Sequence, residues 1–156
     1  MNNIWINQII VGLLDTYNSN DPYELCKLLN ILVIKLEPDN PLLSGEPAVY
    51  MNDSICETKE FIYIRNDLPK SYEEFYLKHE LGHAVLHSDL INNSNDDIIN
   101  MDKLEKQANY FAFELSDIKL DPTQFENYTI KQIASFLELP EEEALFQYLS
   151  NIVNAI

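Results

Sequence analysis

Two histidines four residues apart, with a glutamate directly after the first, stand in the run His79, Glu80, Leu81, Gly82, His83. On an α-helix each residue turns by about 100°, so side chains four apart stack one turn above the other. Two imidazole nitrogens can then converge on one ion at about 2.0–2.1 Å. Glu80 points past that ion toward a water whose proton it can take. The HExxH pattern thus nominates a Lewis acid, Zn2+, and a general base together.

A helix must present these side chains, and the flanking residues supply one. Ser71, Tyr72, Glu73 and Glu74, just after Pro69, read as a capping box. Phe75, Tyr76, Leu77, Leu81, Ala84, Val85 and Leu86 make the helix apolar nearly all round, which predicts burial. Two histidines and a glutamate on a buried helix need partners or a metal, because burying unpaired polar groups is expensive.

A catalytic zinc site usually takes three protein ligands and keeps a position open. Residues 102–116 offer a second helix, with Leu104, Ala108, Phe111, Ala112 and Leu115 at helical spacing. Glu105 borders that stripe and is the candidate third ligand. Asn109, one turn on, can accept the free N–H of a liganding histidine. Asp102 with Glu105 also fits a capping box, and Glu114 is a rival carboxylate near the helix end. His87 extends the row of His79 and His83, but eight residues span about 12 Å of helix, too far for one ion to bind all three. It reads as a structural or supporting histidine, with substrate binding as the alternative. For the oxyanion donor, Tyr50, Tyr63, Tyr76, Tyr110 and His87 all stand open.

Upstream, residues 4–17 have helical apolar spacing, and Asp21, Pro22, Tyr23, Glu24 start a second helix through Leu29. Residues 31–36 read as a buried strand, and Pro38, Pro41, Gly45 and Pro47 mark loops. Further strands are expected at 48–51 and 60–65. A strand over 61–64 at the sheet edge near the metal would align an extended peptide. Residues 88–100, rich in Asn, Asp and Ser, read as a polar loop joining the two site helices. Thr129 with Gln132 begins one more helix, and Pro140 with Glu141, Glu142 and Glu143 the last. This C-terminal pair, 129–152, has a helix-turn-helix outline, yet its second helix carries no lysine or arginine, so packing or partner docking is expected rather than DNA reading. The expected fold is α+β: a single zincin-like domain over 1–156, mostly helical, with a small sheet beside the HExxH helix.

At 156 residues the chain has room for one domain with a real core. The N-terminus lacks a basic region followed by an apolar run, and no segment is apolar enough to span a membrane, so a soluble, cytoplasmic protein is expected. Cys26 and Cys56 then read as reduced core residues without metal-ligand spacing. A formal net charge of −16 would repel phosphate backbones, which argues against direct nucleic-acid binding; the same field would attract a basic protein partner, or serves only to keep the domain soluble.

With these residues in view, the chain resembles the ImmA/IrrE family of bacterial and phage-borne metallopeptidases. The resemblance runs through DPYELCKLLNI, EFIYIRNDLP, KHELGHAVLH and EKQANYFAFEL, the last similar to the family's ExxAN.FA element. It implies His79, His83 and Glu105 as zinc ligands, gluzincin-like, and Glu80 as catalytic base. The chain departs from the family after that element, with Leu115, Ser116, Asp117, Ile118 where Leu-Leu-Met-Pro is usual. The resemblance also implies a protein substrate, a helix-turn-helix repressor whose cleavage relieves repression. The expectation is therefore a zinc-dependent endopeptidase. The alternative is a non-catalytic acidic antirepressor that retains a structural metal site, and a zinc hydrolase of non-peptide bonds is a third reading, since HExxH specifies water activation and not the substrate.

Overall fold

In the computed structural model, residues 3–53, 59–92 and 100–155 are described. Helix α1, Ile4–Tyr17, buries Ile6 and Ile10 and ends at Asn18, whose left-handed backbone (φ 51°) lets its N–H reach the Leu14 carbonyl. The start signal read for α2, Pro22–Leu28, is present: Pro22 occupies the first turn and the Asp21 side chain accepts from the Glu24 N–H. Three strands follow, β1 at Ile31–Leu36, β2 at Ala48–Asp53 and β3 at Lys59–Arg65.

The sheet order is β1-β3-β2, with β1 parallel and β2 antiparallel to β3. This corrects the expectation for 61–64. That strand is central, as its apolar, partly covered residues allow, and the edge strand on the site's side is β2. The Arg65 N–H bonds the Pro47 carbonyl at 3.0 Å. With the register Tyr50 opposite Ile62, alternation of an antiparallel ladder turns the backbone groups of Ala48, Tyr50 and Asn52 away from β3, toward the open edge.

Helix α3 is Lys70–Asn92 and α4 is Met101–Leu115. Because α3 begins at Lys70, Ser71 lies inside the first turn and not at the cap. Its far end also runs past expectation. Residues 88–92 continue the helix, since Ser88 and Asp89 are followed by Leu90 and Ile91 with no glycine or proline to break it. Residues 93–99 of the expected loop, and Cys56, lie outside the described residues. Helices α5, Ile130–Phe136, and α6, Glu143–Val153, complete the chain. Thr129 and Gln132 form the expected reciprocal capping box.

Two apolar clusters hold these elements together. The larger joins α1, α2 and the sheet to α3 and α4 through Ile6, Leu25, Ile62, Ile64, Leu77, Leu81, Phe111 and Leu115. The smaller seats α5 and α6, through Ala134, Leu139, Leu145 and Leu149, on Phe75, Ala112 and Phe113. Helices α3 and α4 contribute to both, so the pair forms the spine of an α+β fold. Cys26 is buried in the larger cluster as a free thiol. No helix among the described residues is long and apolar enough to cross a membrane.

Candidate metal centre

Gly82 explains how α3 and α4 come close enough to share a site. A Cβ on it would stand 3.1 Å from Phe111 Cδ1 and 3.3 Å from the Ala108 Cα, so the helix backbones approach where glycine faces alanine. A buried lysine fixes the other end of α4. Lys78 Nζ donates to Ser116 Oγ at 3.1 Å, and that hydroxyl donates to the Ala112 carbonyl. The last turn of α4 carries no basic residue, so Lys78 brings the cation that suits its negative end.

Across this contact His79, His83 and Glu105 converge, their nearest ligand atoms all within 4.8 Å of one another. The two Nε2 atoms are 3.2 Å apart. One Glu105 oxygen lies 3.1 Å from His79 Nε2 and the other 3.2 Å from His83 Nε2. Tetrahedral ligands at about 2.0–2.1 Å from a zinc ion are separated by about 3.3–3.4 Å. The two imidazole nitrogens are spaced as two corners of such a tetrahedron, with one Glu105 oxygen against each, and two imidazoles with a carboxylate suit Zn2+. The three residues line a cleft of about 450 Å3, bordered also by Pro47, by Ala48–Tyr50 of the edge strand, by Phe75, Tyr76 and Leu104 and, from the C-terminal pair, by Glu142 and Ala144. That volume accommodates a peptide side chain with its flanking backbone.

Each imidazole is held from behind. His79 Nδ1 meets Asn109 Oδ1 at 2.8 Å, the contact expected for that asparagine. His83 Nδ1 meets His87 Nδ1 at 3.2 Å, and His87 Nε2 meets Gln107 Oε1 at 3.0 Å. His87 is 2% exposed, away from the cleft, which disposes of a substrate-binding role and leaves the supporting one. Glu80, 8% exposed, is held by the Tyr50 N–H, 2.7 Å from its Oε2. The outward-turned edge of β2 thus aims the carboxylate.

The charges respond to this crowding. Hydrogen bonds with His79 and then His83 hold the Glu105 carboxyl well below the usual carboxylate range, despite partial burial. Burial opposes charge on His79, but its bond to Glu105 and the charges of Glu80 and Glu105 outweigh that and raise its pKa. Burial pushes the Glu80 carboxyl up against the pull of both histidines and the Tyr50 N–H. Burial likewise pushes His87 down, favouring its neutral form.

The rival readings separate cleanly. Asn100, not Asp102, caps α4, its side chain accepting from the Lys103 N–H, so Glu105 lies beyond the capping position. Glu114 is exposed and outside the cluster. Among the oxyanion candidates only Tyr50 and Tyr76 border the cleft. The Tyr110 hydroxyl instead donates to Asn7. None of Leu115, Ser116, Asp117 and Ile118 lines the cleft, so the departure from the family pattern lies away from it. Two contributors went unread in the sequence. Gln107 is a polar residue three after Leu104 and four before Phe111, directly on the apolar stripe, and that misfit was its signal. The backbone N–H of Tyr50 has no signal in residue type.

Comparison with known proteins gives this arrangement a family. The profile of the IrrE N-terminal-like domain, that of the M78 peptidases, matches residues 26–147. The chain belongs to the IrrE N-terminal-like family. "Uncharacterized immunity region protein 2" of Bacillus phage phi105 is 29% identical over 153 residues, covering 96% of this chain and 92% of that protein. "Metallopeptidase ImmA" of Bacillus subtilis strain 168 is 29% identical over 143 residues, covering 86% of this chain and 79% of its own. No solved structure gives a significant match. Membership in this IrrE-like family, the ImmA relative and the His-His-Glu cluster together support a metallopeptidase.

Proposed function

We propose that the chain, acting as one domain over 1–156, is a zinc-dependent endopeptidase of the HExxH, gluzincin-like type. Its substrate is a protein, a helix-turn-helix repressor whose cleavage relieves repression. The observation that carries this reading is the convergence of His79, His83 and Glu105 beside the buried carboxylate of Glu80, at the floor of a cleft with an open strand edge.

His79, His83 and Glu105 would hold the metal, which when bound would polarise the scissile carbonyl and acidify water. The outward-turned backbone groups of Ala48 and its neighbours in β2 align the substrate chain by strand addition. Glu80, fixed through Oε2 by the Tyr50 N–H, takes a proton from the attacking water as the new C–O bond forms. The same carboxyl then gives that proton to the amine nitrogen as the C–N bond breaks. Tyr50 and Tyr76 are the candidate oxyanion donors that border the cleft, and each hydroxyl would have to leave a carboxylate, Glu60 or Glu142, to donate to the carbonyl oxygen.

Two features support the partner. The net charge of −16 favours a basic, DNA-binding protein over nucleic acid, and the relatives include a phage immunity-region protein and ImmA. The test is co-expression with the helix-turn-helix repressor encoded nearest the gene, with an immunoblot for the repressor and a reporter for derepression. Native protein should cleave the repressor and switch on the reporter, and Glu80→Gln should do neither. Derepression by Glu80→Gln with the repressor intact would replace this reading with a binding antirepressor.

A further inference from the structure

Behind the proposed ligands runs a second line of buried polar groups. His83 Nε2 faces the cluster, at 3.2 Å from both His79 Nε2 and a Glu105 oxygen. To offer a lone pair there, neutral His83 must carry its proton on Nδ1. That proton points at His87 Nδ1, 3.2 Å away, which must then be the acceptor. A neutral His87 accepting through Nδ1 carries its own proton on Nε2, which lies 3.0 Å from Gln107 Oε1. The amide oxygen can only accept, so the row has one polarity, from His83 through His87 to Gln107. Reversing the Gln107 amide would reverse every bond and place a proton on His83 Nε2, where the metal belongs. His87 and Gln107 are 2% and 6% exposed, so bulk water is a poor substitute for either partner.

We infer that His87 and Gln107 are positioning residues that fix the His83 tautomer and leave its Nε2 free for the metal. The inference rests on the metallopeptidase reading and assigns to this chain a two-residue relay where a single carboxylate or carbonyl commonly suffices. It also contrasts the two ligands. His79 has one half-buried partner, Asn109, while His83 depends on a chain of two buried ones.

The test uses the full-length protein and zinc alone. Two-bond 1H–15N NMR of the zinc-loaded protein should show His83 protonated on Nδ1 and His87 protonated on Nε2. Zinc affinity, measured by competition with a chromophoric chelator, should fall about 10–100-fold in Gln107→Leu, in the range seen when outer partners of metal ligands are lost. Gln107→Glu, which keeps an acceptor oxygen, should restore most of that affinity. Zinc bound normally with His87 protonated on Nδ1, or native affinity in Gln107→Leu, would overturn this inference and leave the metal site standing. Failure of the native protein to bind zinc would sink the metallopeptidase reading and this inference together. The NMR result on the native protein decides the matter even if Gln107→Leu folds poorly.

Discussion

The helix pair that carries the cluster and the pair that closes the chain are joined by different kinds of contact. Between α3 and α4 the interface holds Gly82 against Ala108, and into it are packed His79, His83, His87, Gln107 and Lys78. Helices α5 and α6 meet the body through Ala134, Leu139, Leu145 and Leu149, against Phe75, Ala112 and Phe113. Apolar docking needs no special geometry beyond fit. Buried polar groups must each find a partner at the right distance, so an interface that keeps them is specified more narrowly than stability requires. The first pair is built to hold donors at fixed spacing, and the second to shape a wall beside them.

That contrast can be broken from either side. The largest effect is expected from Glu105→Ala, which should weaken zinc binding by more than about 100-fold, beyond the range for outer partners. Metal analysis after dialysis reads it, and zinc retained at one equivalent would remove Glu105 from the ligand set. Leu149→Ala, in the fully buried seat of α6, should cost about 2–5 kcal/mol in urea unfolding. Its zinc affinity should stay native, and a parallel loss of affinity would mean that the two regions are not separable.

Gly82→Ala sets two terms against each other. Replacing a helical glycine gains about 1 kcal/mol, while overpacking a filled contact costs about 1–3 kcal/mol. The new methyl would meet α4 backbone and the fully buried Phe111, so a net destabilisation and a several-fold weaker zinc site are expected. A more stable protein with native zinc affinity would show that the helices need no such closeness. Thr129→Ala should show the smallest effect, about 1 kcal/mol from loss of the α5 cap, with zinc binding unchanged. Calorimetry and a zinc titration would show whether the cap matters to the site.

The site was far more legible than the sheet that borders it, for a physical reason. Helical geometry is local, so the spacing of His79, Glu80 and His83 fixes their relative directions wherever the helix lies. The stripe through Leu104, Ala108 and Phe111 likewise set the direction of Glu105. Strand order is not local. Residues 48–51 and 60–65 both read as short strands, and only the parallel pairing of β1 with β3 makes the second central and the first the edge. Helix ends were blurred where several cap formers crowd together, as with Asn100 and Asp102. The His87 partner was hidden in Gln107, a residue whose place on an apolar stripe acquires meaning only when the facing helix is known.

The most direct test of the account measures zinc content and peptide-bond hydrolysis together, on purified native protein and on Glu80→Gln, with the candidate repressor as substrate and mass spectrometry to read the new termini. The account predicts one equivalent of zinc in both proteins and a single defined cleavage by the native one, abolished in Glu80→Gln. Equal cleavage by both proteins, or cleavage that persists after zinc has been removed, would contradict it.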